Sequence, residues 1–209
     1  TSPAAGPRDP DAERLAAALA ALERDRGPAA VVPLLELAGT VDAAPDRSQA
    51  ILALARLADD PAADPEVRAL ARDLLADQEA RRGQLRHAAA QRARLGFVER
   101  WLAVGPFDDE GKQGHDTAYP PEQAVDLAGR WRGKVREVSW RAVPAAAVVD
   151  GRVELGAMLR PDAEVTAYAL AVVDAPRALA ARLWFGGSGR AKVWVNGALA
   201  LTDGGDHPA

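Results

Sequence analysis

The chain of 209 residues is 48% hydrophobic and 27% charged, which supports one large or two small buried cores and excludes disorder over most of its length. Its 26 basic and 30 acidic residues give a net charge of -4 with no Lys/Arg block and no acidic tail, so neither nucleic acid nor a membrane surface is implied as a partner. With no cysteine there is no disulfide and no thiolate metal ligand, and no apolar run approaches the roughly 20 residues that span a bilayer.

Residues 1–9, within "TSPAAGPRDP", read as a flexible lead of the kind left when an export signal or lipoprotein anchor is removed, and they suggest a periplasmic or outer-envelope location. Residues 10–96 contain no aromatic side chain, and their Ala/Leu-rich pattern suits helices packed closely through small side chains. Asp9-Pro10 opens a helix carrying Leu15, Leu19 and Leu22, and Gly27-Pro28 stops it. A short helix with Val31, Leu34 and Leu35 follows. A third starts near Asp46 with Ile51, Leu54 and Leu57 on one face. Asp64-Pro65-Glu66 starts a fourth, which turns Val67, Leu70, Leu74 and Leu75 inward. These form two helical hairpins with starts close to a tetratricopeptide or HEAT period, although neither consensus is met. A basic helix from Gln84 to Leu95 connects to the second half, its arginines reading as a solvated face.

All ten aromatic residues lie at or after Phe97, where the period changes, and residues 97–209 are expected to form an antiparallel β-sandwich. "FVERWLAVG" reads as a strand that breaks at Gly105-Pro106. "KVREVSWRAV", "EVTAYALAVVD" and "ALAARLWFGG" read as further strands. "AKVWV" and "ALALT" flank Asn196-Gly197 as the arms of a hairpin, because a type I′ turn needs positive φ at both central residues.

The motifs that carry chemistry are sparse. Ser188 in "GGSGR" lacks the glycine spacing and following helix of a nucleophile elbow, and the same glycines lack the helix N-terminus of a phosphate cradle. His87, His115 and His207 show no metal-ligand spacing. "PFDDEGKQGHD" gathers Asp108, Asp109, Glu110, His115 and Asp116; it reads as a solvated loop, with an oxygen-ligated calcium site at Asp108 and Asp109 as the alternative. Trp101, Trp140 and Trp194 sit within strand patterns as core residues. Trp131, in a Gly-rich stretch between Arg130 and Arg132, is a candidate to stack on the apolar face of a sugar. No metal and no cofactor is expected.

"WLAVGPFDDEGKQGHDTAYPPE", "GKVREVSWR", "VTAYALAVV" and "AKVWVNG", in this order, resemble a galactose-binding-like jelly roll of large bacterial envelope proteins of myxobacterial and planctomycete type. In these a helical-repeat segment precedes the jelly roll, and a transglutaminase-like domain often follows. The hairpin end is also similar to the sugar-binding jelly roll of family-two glycoside hydrolases. The resemblance covers about Phe97 to Asp203 and implies a non-catalytic module that binds carbohydrate or protein in exported proteins. Carbohydrate would meet Trp131, Arg132, His115 and Asp116 on the sandwich loops. Such jelly rolls close with a further strand that is not found before Ala209, so the sandwich is expected to be incomplete at that end or to close differently. The alternatives are a protein-interaction module acting through the helical hairpins and a substrate-orienting region of a transglutaminase-like or hydrolytic enzyme.

Overall fold

A computed structural model describes residues 10–44, 46–178 and 180–205. It combines seven α-helices with several small antiparallel sheets among those residues, and it divides into two compact units, Thr1–Phe97 and Val98–Ala209. The N-terminal lead falls outside the described residues, as does His207.

The first unit carries α1 (Pro10–Arg24), α2 (Val31–Thr40), α3 (Ser48–Asp59), α4 (Pro65–Arg81) and α5 (Leu85–Ala93). Their ends follow from local chemistry. The Asp64 carboxylate accepts the Glu66 N–H at 2.8 Å and Pro65 takes the first helical turn, where its missing N–H costs nothing. Asp46 accepts the Ser48 N–H at 2.8 Å just ahead of α3, and that bond holds its carboxyl below the usual carboxylate pKa. The leucines expected inward at Leu15, Leu22, Leu34, Leu54 and Leu75 are buried together with Leu37, Val41 and Val67. Between them lie Ala18, Ala30, Ala50, Ala58 and Ala71, each at most 2% exposed, so small side chains fill the space between helices. Leu35 departs from the expected pattern. It stands 56% exposed beside Val32, because α2 turns Leu34 and Leu37 to the core and 3.6 residues per turn carries Leu35 away from them.

Among the described residues of this unit one charged side chain is buried. Arg72 of α4 donates to the Ala58 carbonyl, to Asp59 Oδ1 at 2.7 Å and to Gln91 Oε1 at 2.7 Å, which fastens α3, α4 and α5 together. Asp59 is held below the ordinary carboxylate pKa chiefly by the Arg72 hydrogen bond, with Arg94 at 3.0 Å adding its charge.

The second unit contains β1 (Leu102–Asp108), α6 (Pro120–Gln123), β2 (Arg130–Arg132), β3 (Glu137–Ser139), β4 (Arg141–Ala142), β5 (Val148–Val149), β6 (Arg152–Val153), α7 (Leu155–Met158), β7 (Val165–Leu170), β8 (Ala191–Val195) and β9 (Ala198–Asp203). The strands pair antiparallel as a three-stranded sheet, β4-β1-β7, and three separate pairs, β2-β3, β5-β6 and β8-β9. The core cluster joins Val104, Phe107 and Val138 to half-buried Tyr119, Trp131, Trp140 and Tyr168. Phe107 stacks on Tyr119 at 4.8 Å and meets Tyr168 edge-on at 5.7 Å.

Three strand expectations are corrected. Gly105-Pro106 does not end the first strand: β1 continues to Asp108 through a cis peptide at this pair. The register passes from Val104↔Tyr168 to Phe107↔Thr166, so two residues of β1 oppose Ala167 alone. At this bulge proline's lack of an N–H is tolerated, and Gly105 takes φ 142° where a Cβ would press on Ala167 at 3.2 Å. "KVREVSWRAV" is broken into β3 and β4, with Trp140 between them. In "ALAARLWFGG", the described residues 180–187 are irregular and exposed, because Leu183, Trp184 and Phe185 are consecutive and cannot all turn to one face. The Asn196-Gly197 turn forms as the dipeptide dictates, with φ 51° and 81°.

Candidate functional site

The densest polar arrangement of the second unit lies where β1 ends. Lys134 donates to the Glu164 carbonyl at 2.8 Å, and its ammonium stands 3.1 Å from Asp108 Oδ1 and 4.0 Å from Glu164 Oε2. Its backbone N–H meets the Pro106 carbonyl at 2.8 Å. Burial alone would lower the Lys134 pKa, but the Asp108 and Glu164 carboxylates outweigh it and the net shift is upward. Asp108 is moved down, first by the Lys134 hydrogen bond. Tyr119 donates its hydroxyl to the Asp108 carbonyl and is moved up by burial and by the charges of Asp108 and Asp109.

A second arrangement links three elements. Glu122 on α6 accepts the Tyr168 hydroxyl at 2.7 Å with one oxygen and stands 3.6 Å from Lys192 of β8 with the other. Its side chain is 12% exposed and that of Lys192 is 19% exposed. Burial, then the Glu122 acceptor and its charge, push the Tyr168 hydroxyl far above its usual pKa. In both arrangements the charges hold elements in place, and every carboxylate named faces a protein donor or cation.

The residues singled out from the sequence scatter over this unit. Trp131 lies on β2, not in a loop. It is half-buried against the core cluster, and its indole lies so close over Gly129 that a Cβ there would run into the ring. Arg132 follows it on the same strand and is exposed. His115 is largely enclosed at 14% side-chain exposure; its Nδ1 stands 3.2 Å from Asp116 Oδ1, and its Nε2 is buried without a partner. Asp116 is 84% exposed. Asp109 accepts the Gly114 N–H, while Asp108 engages Lys134, so both carboxylates of the calcium alternative already have protein partners. Among the described residues no group of three or more His, Asp or Glu converges as metal ligands. His87 lies on the exposed face of α5, 3.4 Å from Gln84 Oε1, and Ser188 sits on an exposed bend. Trp140 packs on the cluster with its Nε1 unpartnered. Trp101 donates to the Val98 carbonyl at 2.8 Å, and Trp194 is half-buried on β8.

Sequence reasoning did not single out Trp184 and Phe185, which stand 53% and 51% exposed next to Leu183 at 62%. The signal was present as three consecutive large apolar residues ahead of "GGSG", a pattern that suits neither face of a strand. No helix among the described residues is long and apolar enough to cross a membrane. Comparison with known proteins gives no match: no protein-family model, no curated protein and no solved structure matches the chain.

Proposed function

We propose that this chain is a non-catalytic binding and scaffolding region of a bacterial envelope protein. Helical hairpins accompany a galactose-binding-like β-sandwich, and the β-rich unit meets carbohydrate through its loops. The observation that carries the reading is the outward display of Leu183, Trp184 and Phe185 on an irregular segment of that unit. Exposed aromatic faces in a loop offer the flat apolar surface on which a sugar ring stacks, and leaving them in water without a partner is unfavourable. Trp131, half-buried, lends less of its face, so the stacking role passes from Trp131 to Trp184 and Phe185.

The test is retention of the chain on cell-wall and capsular polysaccharides and on a glycan array. Trp184→Ala combined with Phe185→Ala is expected to weaken retention at least tenfold with an unchanged circular dichroism spectrum. Absence of retention on every glycan, or retention undiminished in the double variant, refutes the carbohydrate reading. Fractionation of the native host tests the envelope location separately.

One observation favours a second reading, in which the helical unit receives a partner protein. Val32 and Leu35 stand three residues apart on α2 at 61% and 56% exposure, a spacing that places them side by side on the helix surface as anchors for an apolar peptide. A photo-crosslinking residue at position 32 that captures one defined protein, lost with Leu35→Glu, would favour this reading.

A further inference from the structure

The β8–β9 hairpin is built differently from the sheet beside it. Its two strands pair only with each other among the described residues, from Ala191↔Asp203 to Val195↔Ala198, and no residue of either belongs to the aromatic core cluster. Ala198 to Thr202 are all exposed, whereas Ala191 to Trp194 are half-buried. The segment that leads into the hairpin, residues 180–188, is irregular and exposed. A lone two-stranded hairpin is marginally stable in water, and its order depends on what ties it to the rest of the fold. Here a tie is visible in the mostly enclosed ion pair between Lys192 of β8 and Glu122, whose other oxygen holds Tyr168 on β7 of the central sheet.

We propose that the hairpin is a hinged flap latched by the Lys192–Glu122 pair, which opens as a unit while the β4-β1-β7 sheet stays folded. Opening uncovers the Glu122 carboxylate, because β8 carries the cation that covers it. The pair is enclosed enough to be felt, and the local opening of such a poorly packed unit lies well below global unfolding in free energy.

Hydrogen exchange of the full chain followed by mass spectrometry tests the proposal. In the wild type, β8 and β9 amides are expected to exchange at least 100-fold faster than those paired between β1 and β7. Lys192→Met, which keeps the aliphatic stem, is expected to raise exchange in β8 and β9 about tenfold and to leave β1 and β7 unchanged. Glu122→Gln removes the charge but retains an acceptor for Tyr168, so the same hairpin-selective increase is expected. Raising the salt from 0.05 to 1 M should speed hairpin exchange in the wild type and not in Lys192→Met. Hairpin protection equal to that of β1 and β7, no change in either variant, or loss of protection in β1 and β7 to the same extent as in the hairpin would each overturn it.

Discussion

Replacing Arg72 with Met tests whether its buried guanidinium holds three helices of the first unit together. Its side chain is 8% exposed and reaches the Ala58 carbonyl, Asp59 and Gln91. Hydrogen bonds to a charged donor contribute roughly 1.5–3 kcal/mol each when the acceptors are dry. The three are not equal. Asp59 is 61% exposed and keeps Arg94 at 3.0 Å, and the half-buried Gln91 amide can turn to water, so the Ala58 carbonyl loses most. Methionine returns the apolar packing of the stem. A net loss of about 2–3 kcal/mol at pH 7 follows, a large share of the roughly 5–15 kcal/mol that holds a typical domain. Urea unfolding followed at 222 nm reads the helical unit directly. The Arg72–Asp59 contact also has a signature in pH. Because the folded-state pKa of Asp59 lies below its ordinary 3.8, its contribution is present above that value and is lost as pH falls through the folded pKa. The difference between wild type and Arg72→Met should therefore narrow on acidification from pH 5 to pH 2. A variant within about 0.5 kcal/mol of wild type at pH 7 would refute the reasoning, since a hydrophobic side chain would then replace the buried cation without loss.

Leu54→Ala, at a site with no exposed surface between α3 and its neighbours, should cost about 3 kcal/mol in the same urea titration and leave the β-rich unit's tryptophan emission unchanged. Asp64→Ala removes the acceptor that caps α4 and should cost about 1 kcal/mol, whereas Asp64→Ser should recover most of it. In a spectrophotometric titration at 295 nm, neither of the two tyrosines should ionise at pH 10 as a free tyrosine does, and Glu122→Gln should lower the pKa of Tyr168. Since the folded pKa of Tyr168 is raised, its contribution to stability is full below the ordinary value near 10 and falls as pH rises above it, so alkaline unfolding should begin there.

What could be read from the sequence was set by local backbone chemistry. Asp64-Pro65-Glu66 marks the start of α4 because a short carboxylate and a proline suit the first turn of a helix. Asn196-Gly197 marks a turn because both residues accept positive φ. The same logic holds for Asp150-Gly151, whose φ of 51° and 76° turn the chain between β5 and β6. Whether an extended apolar segment becomes a strand depends on a partner elsewhere in the chain, and residues 180–187 pair with none among the described residues. The Tyr168–Glu122–Lys192 arrangement draws on β7, α6 and β8, so no local spacing announces it. The Gly-rich surroundings of Trp131 suit a loop as well as a strand, and only the fold shows that the absent side chain of Gly129 is the space its indole occupies.

The bulge at Gly105-Pro106 makes this unit respond differently to an insertion and to a deletion. Val104 and Phe107 are three positions apart and would fall on opposite faces of a regular strand, yet both belong to the same core cluster. The extra residue opposite Ala167 restores the phase between them. Deletion of one residue there would turn the bulge into a regular ladder with Phe107 two places from Val104 on the same face, whereas insertion of one more would send Phe107 to the opposite face and unstack it from Tyr119 and Tyr168. Length at this point of the chain is therefore constrained in one direction: homologous strands should accept loss of the bulge residue and reject a further insertion.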